Sequence, residues 1–412
     1  MHSNPALPEM RLRLVGAALL ALAARASSGS VGGAQGPLRS ISIMPASDAR
    51  VRWSGRTAAA AGAGVSFDWE GVSATLALQA PWTFLTVNIS DACAGSPALG
   101  GGSRWLVSAS PASPLALAPL RRVSTFWTGP RVSEYYLLSN PGGGCDPDCS
   151  YGGLTTVTLT RLTESRLSLC SAAAGLTVVS FATDGAFAPP PPAPPRRLEF
   201  VGDSITAGDL NDGAGDGGAS PAQCSNSAGN DDITLSSGGR LCLPASAGGL
   251  GADCTFTAWG GIKLGVGAEW GMSDLYPFTF SAGGRDAYAP WAFPAPAPDA
   301  VVVNLGTNDR PPPGDAGWVD AYVGFATDVV RKYHRGANVT LFLAYGPMTD
   351  SYEGNVRNVT AQLAAAGLRA FALDLTLPHA MTGCYGHPSA ADNVEIAAKA
   401  KPQIQAALGW AD

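Results

Sequence analysis

The sequence predicts a β-sandwich followed by an α/β domain built on a parallel sheet, and three observations predict it. Short runs before residue 187 alternate apolar with polar or threonine residues, a proline block occupies 188–195, and the remainder alternates apolar strand runs with helix-spaced apolar residues. At 412 residues the chain is long enough for two compact units, each able to bury its own core.

Ahead of the sandwich, residues 14–24 form the one long uninterrupted apolar run. Arg11 and Arg13 precede it and Ala24-Arg25-Ala26, a small-x-small pattern, follows, so residues 1–26 read as a secretory signal peptide. Eleven residues fall short of the ~20 that cross a hydrocarbon core, and no later segment qualifies, so no membrane anchor is expected after signal removal. The expected location is extracellular or the lumen of the secretory route. Eight cysteines (Cys93, Cys145, Cys149, Cys170, Cys224, Cys242, Cys254, Cys384) fit that oxidising setting, although their pairing is not readable from spacing. Cys145 and Cys149 lie close together, but with four histidines and no second close pair a tetrahedral metal set is not completed. Disulfides are the expectation, and no metal or cofactor is expected. Sequons at Asn88, Asn338 and Asn358 fit a glycosylating route. A net charge of −6 with no basic run argues against nucleic acid, whose affinity is counterion release onto clustered Lys and Arg.

The sandwich is placed at 38–187 by the runs VSFDW (65–69), ATLAL (74–78), FLTVNI (84–89), YYLL (135–138) and TTVTL (155–159), which sit between Gly, Pro and Ser clusters. Residues 188–196 form a proline-rich linker, since consecutive prolines hold an extended spacer and continue neither strand nor helix. Within 197–412, strands are expected at 198–201, 300–305, 338–345 and 368–375. Trp318, Tyr322, Phe325 and Val329 mark one helix, Val356, Val359 and Leu363 a second that ends near Gly367, and a third closes the chain. Buried strands joined by helices imply a parallel sheet covered on both faces, with ligands beyond the carboxyl ends of the strands.

Candidate chemistry falls at those ends. Gly202-Asp203-Ser204-Ile205-Thr206-Ala207-Gly208 follows the first strand of the second domain, where a serine at a strand-to-helix turn projects its hydroxyl past the sheet edge. Three further elements come in order: Gly260-Gly261, Gly306-Thr307-Asn308-Asp309 and His387-Pro388-Ser389. With these the sequence resembles the SGNH (GDSL) hydrolase superfamily. The resemblance implies a flavodoxin-like three-layer α/β/α domain. It makes Ser204 the nucleophile, His387 the general base, and the Ser204 N–H, the Gly261 N–H and the Asn308 side chain the oxyanion donors.

The superfamily's aspartate three residues before the histidine is absent, its position being Cys384. A backbone carbonyl is the expected replacement in orienting His387; Asp374 and Asp392 are candidate carboxylates, and Asp309 a loop-supporting one. The segment GCYGHPS (383–389) resembles carbohydrate esterase family 2, as do VRWSGR (51–56), FDW (67–69), LTRLTE (159–164) and Asp184-Gly185. That family implies a jelly-roll sandwich ahead of the hydrolase domain, a Ser-His dyad, and an acetylated polysaccharide or oligosaccharide as substrate. Tyr385 and Trp259, beside the catalytic elements, are candidate sugar contacts because aromatic faces stack on apolar pyranose surfaces; Trp270 and Trp291 are expected in the core. The segment 212–232, rich in Gly, Asp, Ser and Asn, is expected as a surface loop tied down through Cys224 or Cys242. An enzyme acting on lipid or thioester acyl groups and a catalytically silent carbohydrate binder remain the other classes.

Overall fold

The computed structural model describes residues 40–92, 94, 102–111, 121–130, 133–139, 154–164, 176–213, 224, 228–267, 269–281 and 289–411. The expected signal peptide, Cys93, Cys145, Cys149, Cys170 and most of the 212–232 segment lie outside the described residues.

Twelve strands among the described residues precede the proline block. They are β1 (Ser42–Pro45), β2 (Arg52–Ser54), β3 (Ala58–Ala59), β4 (Val65–Phe67), β5 (Ser73–Gln79), β6 (Phe84–Asp91), β7 (Arg104–Pro111), β8 (Arg121–Trp127), β9 (Glu134–Ser139), β10 (Leu154–Arg161), β11 (Leu176–Thr183) and β12 (Ala186–Ala188). They form two sheets, in the orders β3-β4-β11-β6-β9 and β12-β5-β10-β7-β8, with β1 added to β11 and β2 to β5. Every pairing is antiparallel. Alternation does the sorting, since successive side chains on a strand point to opposite faces. Leu76, Leu78, Val157 and Leu159 of one sheet share a buried core with Val87, Ile89, Val178 and Phe181 of the other.

Five parallel strands follow: β13 (Arg196–Gly202), β14 (Ala252–Ala258), β15 (Ala300–Asn304), β16 (Thr340–Tyr345) and β17 (Ala370–Asp374), in the order β14-β13-β15-β16-β17. The helices are α1 (Ser204–Ala207), α2 (Ser237–Cys242), α3 (Met272–Leu275), α4 (Ala316–Asp328), α5 (Glu353–Ala365) and α6 (Ala390–Leu408). Val301 and Val303 pack with Trp318, Tyr322 and Phe325 of α4 and Val356 and Val359 of α5. Val302, one position out of phase, packs with Leu241 of α2 and Ile396, Ala400 and Ile404 of α6. Helices therefore cover both faces, which is why β15 and β16 read as continuous apolar runs.

The strand order reverses between β13 and β15, and the crevice outside a parallel sheet opens at such a switch point. Ser204 follows β13 and Asn308 follows β15, so topology alone brings the two to one rim. Ile41–Asp412 holds together as one unit, and no helix among the described residues is long and apolar enough to cross a membrane.

Candidate active site

Four segments converge at this rim. Gly202 ends β13 where a Cβ would lie 2.1 Å from Thr206 Oγ1 and 2.8 Å from the Asn304 carbonyl, so the close turn into α1 requires glycine. Asp203 caps α1, its Oδ1 accepting from the Ile205 N–H at 3.0 Å. Burial first, and then the nearby Asp309 charge, push the Asp203 carboxyl up to about 7. Ser204 is the first helical residue, so its own N–H has no partner within the helix.

His387 is the candidate base. Its Nε2 stands 2.9 Å from Ser204 Oγ, within proton-transfer range although the two residues lie 183 positions apart. The loop carrying it is fixed by backbone bonds from the His387 N–H to the Cys384 carbonyl at 3.0 Å and from the Gly383 N–H to the His387 carbonyl at 2.9 Å. Behind it, Ser389 and Asp392 form the capping box that starts α6. Cys384 is bonded to Cys224, so the position left without an acid is a covalent tether to the 212–232 segment. Cys242 and Cys254 form a second disulfide.

The turn after β14 faces the serine. The Trp259 N–H donates to the Gly202 carbonyl and the Ile262 N–H to the Trp259 carbonyl, both at 3.1 Å, closing Trp259-Gly260-Gly261-Ile262 into a β-turn. Gly261 has a φ of +77°, the left-handed value a type II turn demands at its third residue. Gly260 donates its N–H to the buried Glu164 carboxylate, whereas the Gly261 N–H makes no hydrogen bond among the described residues. Asn308 Nδ2 donates to the Ile262 carbonyl at 2.9 Å and, at 3.3 Å, to Asp203 Oδ2. Asp309 accepts the Leu264 N–H at 3.1 and 3.2 Å and so pins the chain just past this turn.

The two other acids lie elsewhere in the hydrogen-bond network. Asp392 Oδ2 accepts the N–H and hydroxyl of both Thr382 and Ser389 at 2.7–2.9 Å. Asp374 bonds Lys399 Nζ at 2.8 Å and the Thr376 N–H and hydroxyl. Asp392 thus ties the His387 loop to the start of α6, and Asp374 ties the end of β17 to α6. Tyr385 is 63% exposed beside His387 and holds a positive φ of 53°. Trp259 is buried under the turn, with Trp270 edge-on to it at 5.9 Å. The expectation that Trp270 is a core residue is corrected: it is 41% exposed and meets the buried Trp259 edge-on. Trp291 is half-buried and lies 5.9 Å from the Arg56 guanidinium.

No protein-family model matches the chain. Over 230 residues it is 29% identical to the cellulase/esterase CelE of Acetivibrio thermocellus, a match covering 52% of this chain and 26% of that protein. The chain thus spans about a quarter of the curated relative's length. A family two carbohydrate esterase from Cellvibrio japonicus superposes with a TM-score of 0.70 at 20% identity, covering 90% of this chain and 99% of that one. Another, from Clostridium thermocellum and solved with cellohexaose, gives 0.67 at 24% identity, covering 88% of this chain and 100% of that one. The likeness to family two carbohydrate esterases expected from the sequence is borne out, as is the SGNH hydrolase fold of the α/β part.

Proposed function

We propose that this chain is a serine esterase that removes acetyl or other short acyl groups from carbohydrate. The 2.9 Å contact between His387 Nε2 and Ser204 Oγ at the switch point of the sheet carries the reading. As Ser204 Oγ bonds the ester carbonyl carbon, His387 takes its proton, and the carbonyl oxygen becomes an oxyanion. Three donors are available to it: the Ser204 N–H, the Gly261 N–H and Asn308 Nδ2, whose long contact to Asp203 is the one the oxyanion replaces. His387 then returns the proton to the departing sugar hydroxyl. Water, deprotonated by the same imidazole, releases acetate from the acyl-enzyme.

A sugar is favoured over a long acyl chain by the exposed ring of Tyr385, two residues before His387, and by the exposed ring of Trp270 against Trp259, which opens the turn carrying Gly261. The relative solved with cellohexaose supports the same class. The disulfides Cys224–Cys384 and Cys242–Cys254 support a secreted protein, as the leader at 1–26 does. The orders β4-β11-β6-β9 and β5-β10-β7-β8 support a jelly-roll reading of the sandwich, with the hydrolase part starting after residues 188–196.

Acetate release from acetylated xylan, glucomannan and chitin fragments, beside long-chain p-nitrophenyl esters, tests the proposal. Release from at least one acetylated glycan, abolished by Ser204→Ala, is expected. Exclusive turnover of long-chain esters contradicts the substrate class, and undiminished turnover by Ser204→Ala contradicts the mechanism.

A further inference from the structure

The turn that carries the Gly261 donor has little of its own to hold it. Gly260 and Gly261 offer no side chains to pack, and a Cβ built on Gly261 meets nothing within 4 Å. Its ends are fastened through Trp259 and Ile262, and the peptide just before the Gly261 N–H, Trp259–Gly260, is held by a group from the sandwich: the Gly260 N–H donates to Glu164 Oε1. Glu164 itself sits on a firm mount directly after β10. The Leu162 N–H donates to the Arg104 carbonyl at 2.9 Å, and Thr163 Oγ1 accepts the Arg104 N–H at 2.6 Å, which sews this segment to β7.

We propose that Glu164 is a positioning residue of the oxyanion hole, acting through Gly260 to aim the adjacent Gly261 N–H at the developing charge. The inference rests on the esterase reading and assigns a part of that site to the sandwich. A buried carboxylate is costly to keep, and its surroundings are arranged so that this one remains an acceptor. Arg161, fully buried on the same segment, feels the charges of Asp68, Glu70 and Asp91 and, after them, that of Glu164. The carboxyl oxygens of Glu164, Asp209 and Asp231 come within 4.8 Å of one another. Burial, with the facing charges of Asp209 and Glu164, pushes Asp231 well above the usual carboxylate range. With the Trp259–Gly260 peptide held through its N–H and the turn closed by the Ile262 N–H, the Gly260–Gly261 peptide between them has few directions left, and donors act on a transition state only when pre-aimed.

Glu164→Ala, Glu164→Gln and Ser204→Ala are compared on p-nitrophenyl acetate, with phenylboronic acid as a tetrahedral probe of the same hole. Glu164→Ala is expected to lower kcat about ten- to a hundredfold with KM little changed, the cost of a misaimed group, and to raise the boronate inhibition constant in step. Glu164→Gln, whose carboxamide oxygen still accepts, keeps kcat within about threefold. Where Glu164→Ala does not fold, Glu164→Asp withdraws the acceptor by one methylene while keeping the charge, with the same expected loss. A wild-type kcat in the variant lacking the acceptor, a loss confined to KM, or a folded Glu164→Gln as impaired as Glu164→Ala overturns the inference. If Ser204→Ala retains activity, the esterase reading itself has failed. If Ser204→Ala is inactive while Glu164→Ala is not, only the role of Glu164 falls.

Discussion

At the scale of single residues, the reacting groups carry short-range signals and their supports do not. Ser204 and Asn308 stood out because each occupies a motif at the end of a strand, and His387 because it opens the His-Pro-Ser motif ahead of the last helix. Glu164 lies 96 positions from the glycine it holds, and no local pattern marks such a contact. Trp270 looked like core for a related reason, since apolar content alone does not say which of two neighbouring indoles lies beneath the other. Asn308→Ala is expected to lower kcat on p-nitrophenyl acetate about a hundredfold, the cost of one oxyanion donor, with a small change in KM. A loss carried wholly by KM would show instead that the amide only binds. A second expectation concerns Asp231, whose carboxyl is pushed up to about 9. A folded pKa above the unfolded value near about 4 means that the folded chain keeps a proton the unfolded chain releases, so stability falls as pH rises between the two. Melting temperatures at pH 5, 7 and 9 should fall more steeply for the wild type than for Asp231→Asn; parallel curves contradict the assignment of the proton.

At the scale of elements, the four apolar strand runs after residue 197 were legible because buried parallel strands need no polar face. β14 was not, since Ala252–Ala258 reads ADCTFTA and its aspartate, cysteine and threonines resemble a loop. Its half-buried positions Asp253 and Thr255 explain the pattern, for β14 is the edge strand and carries the packing only on alternate residues. The pairing of Cys224 with Cys384 was equally hidden, being fixed by where two loops meet across 160 positions. That bond stands where the triad acid is missing, and it anchors the backbone of the His387 loop. Replacing both cysteines by serine is expected to cost about 3–5 kcal/mol in urea unfolding, as opening a long cross-linked loop does. It should also lower kcat in the fraction that remains folded. Full activity in the folded double variant would show that the loop holds His387 without its tether.

At the scale of the whole molecule, the alternation of strands foretold a sandwich and a sheet but not how closely they are joined. Arg56, from the turn after β2, is fully buried: it bonds Glu199 of β13 at 3.0 Å and the Phe278 carbonyl at 2.9 Å, and lies 4.6 Å from the Tyr276 ring. Asp68 accepts the Ser281 N–H and hydroxyl at 2.8–3.0 Å, and Arg104 reaches Asp212 at 2.7 Å. Such contacts leave buried charges stranded when one side is removed. Residues 197–412 produced alone should therefore unfold at much lower urea than the full chain, and Arg56→Ala should cost about 3 kcal/mol. An isolated fragment as stable as the full chain contradicts this. The same assembly brings Ser204 and His387 to 2.9 Å, and covalent trapping reads directly whether they act as the proposed acylating pair. Treatment with diethyl p-nitrophenyl phosphate, followed by peptide mass mapping, should place a single phosphoryl label on Ser204 as hydrolysis stops, with labelling lost in His387→Ala. Inactivation with the label on another residue, or labelling at Ser204 that does not depend on His387, would contradict the account.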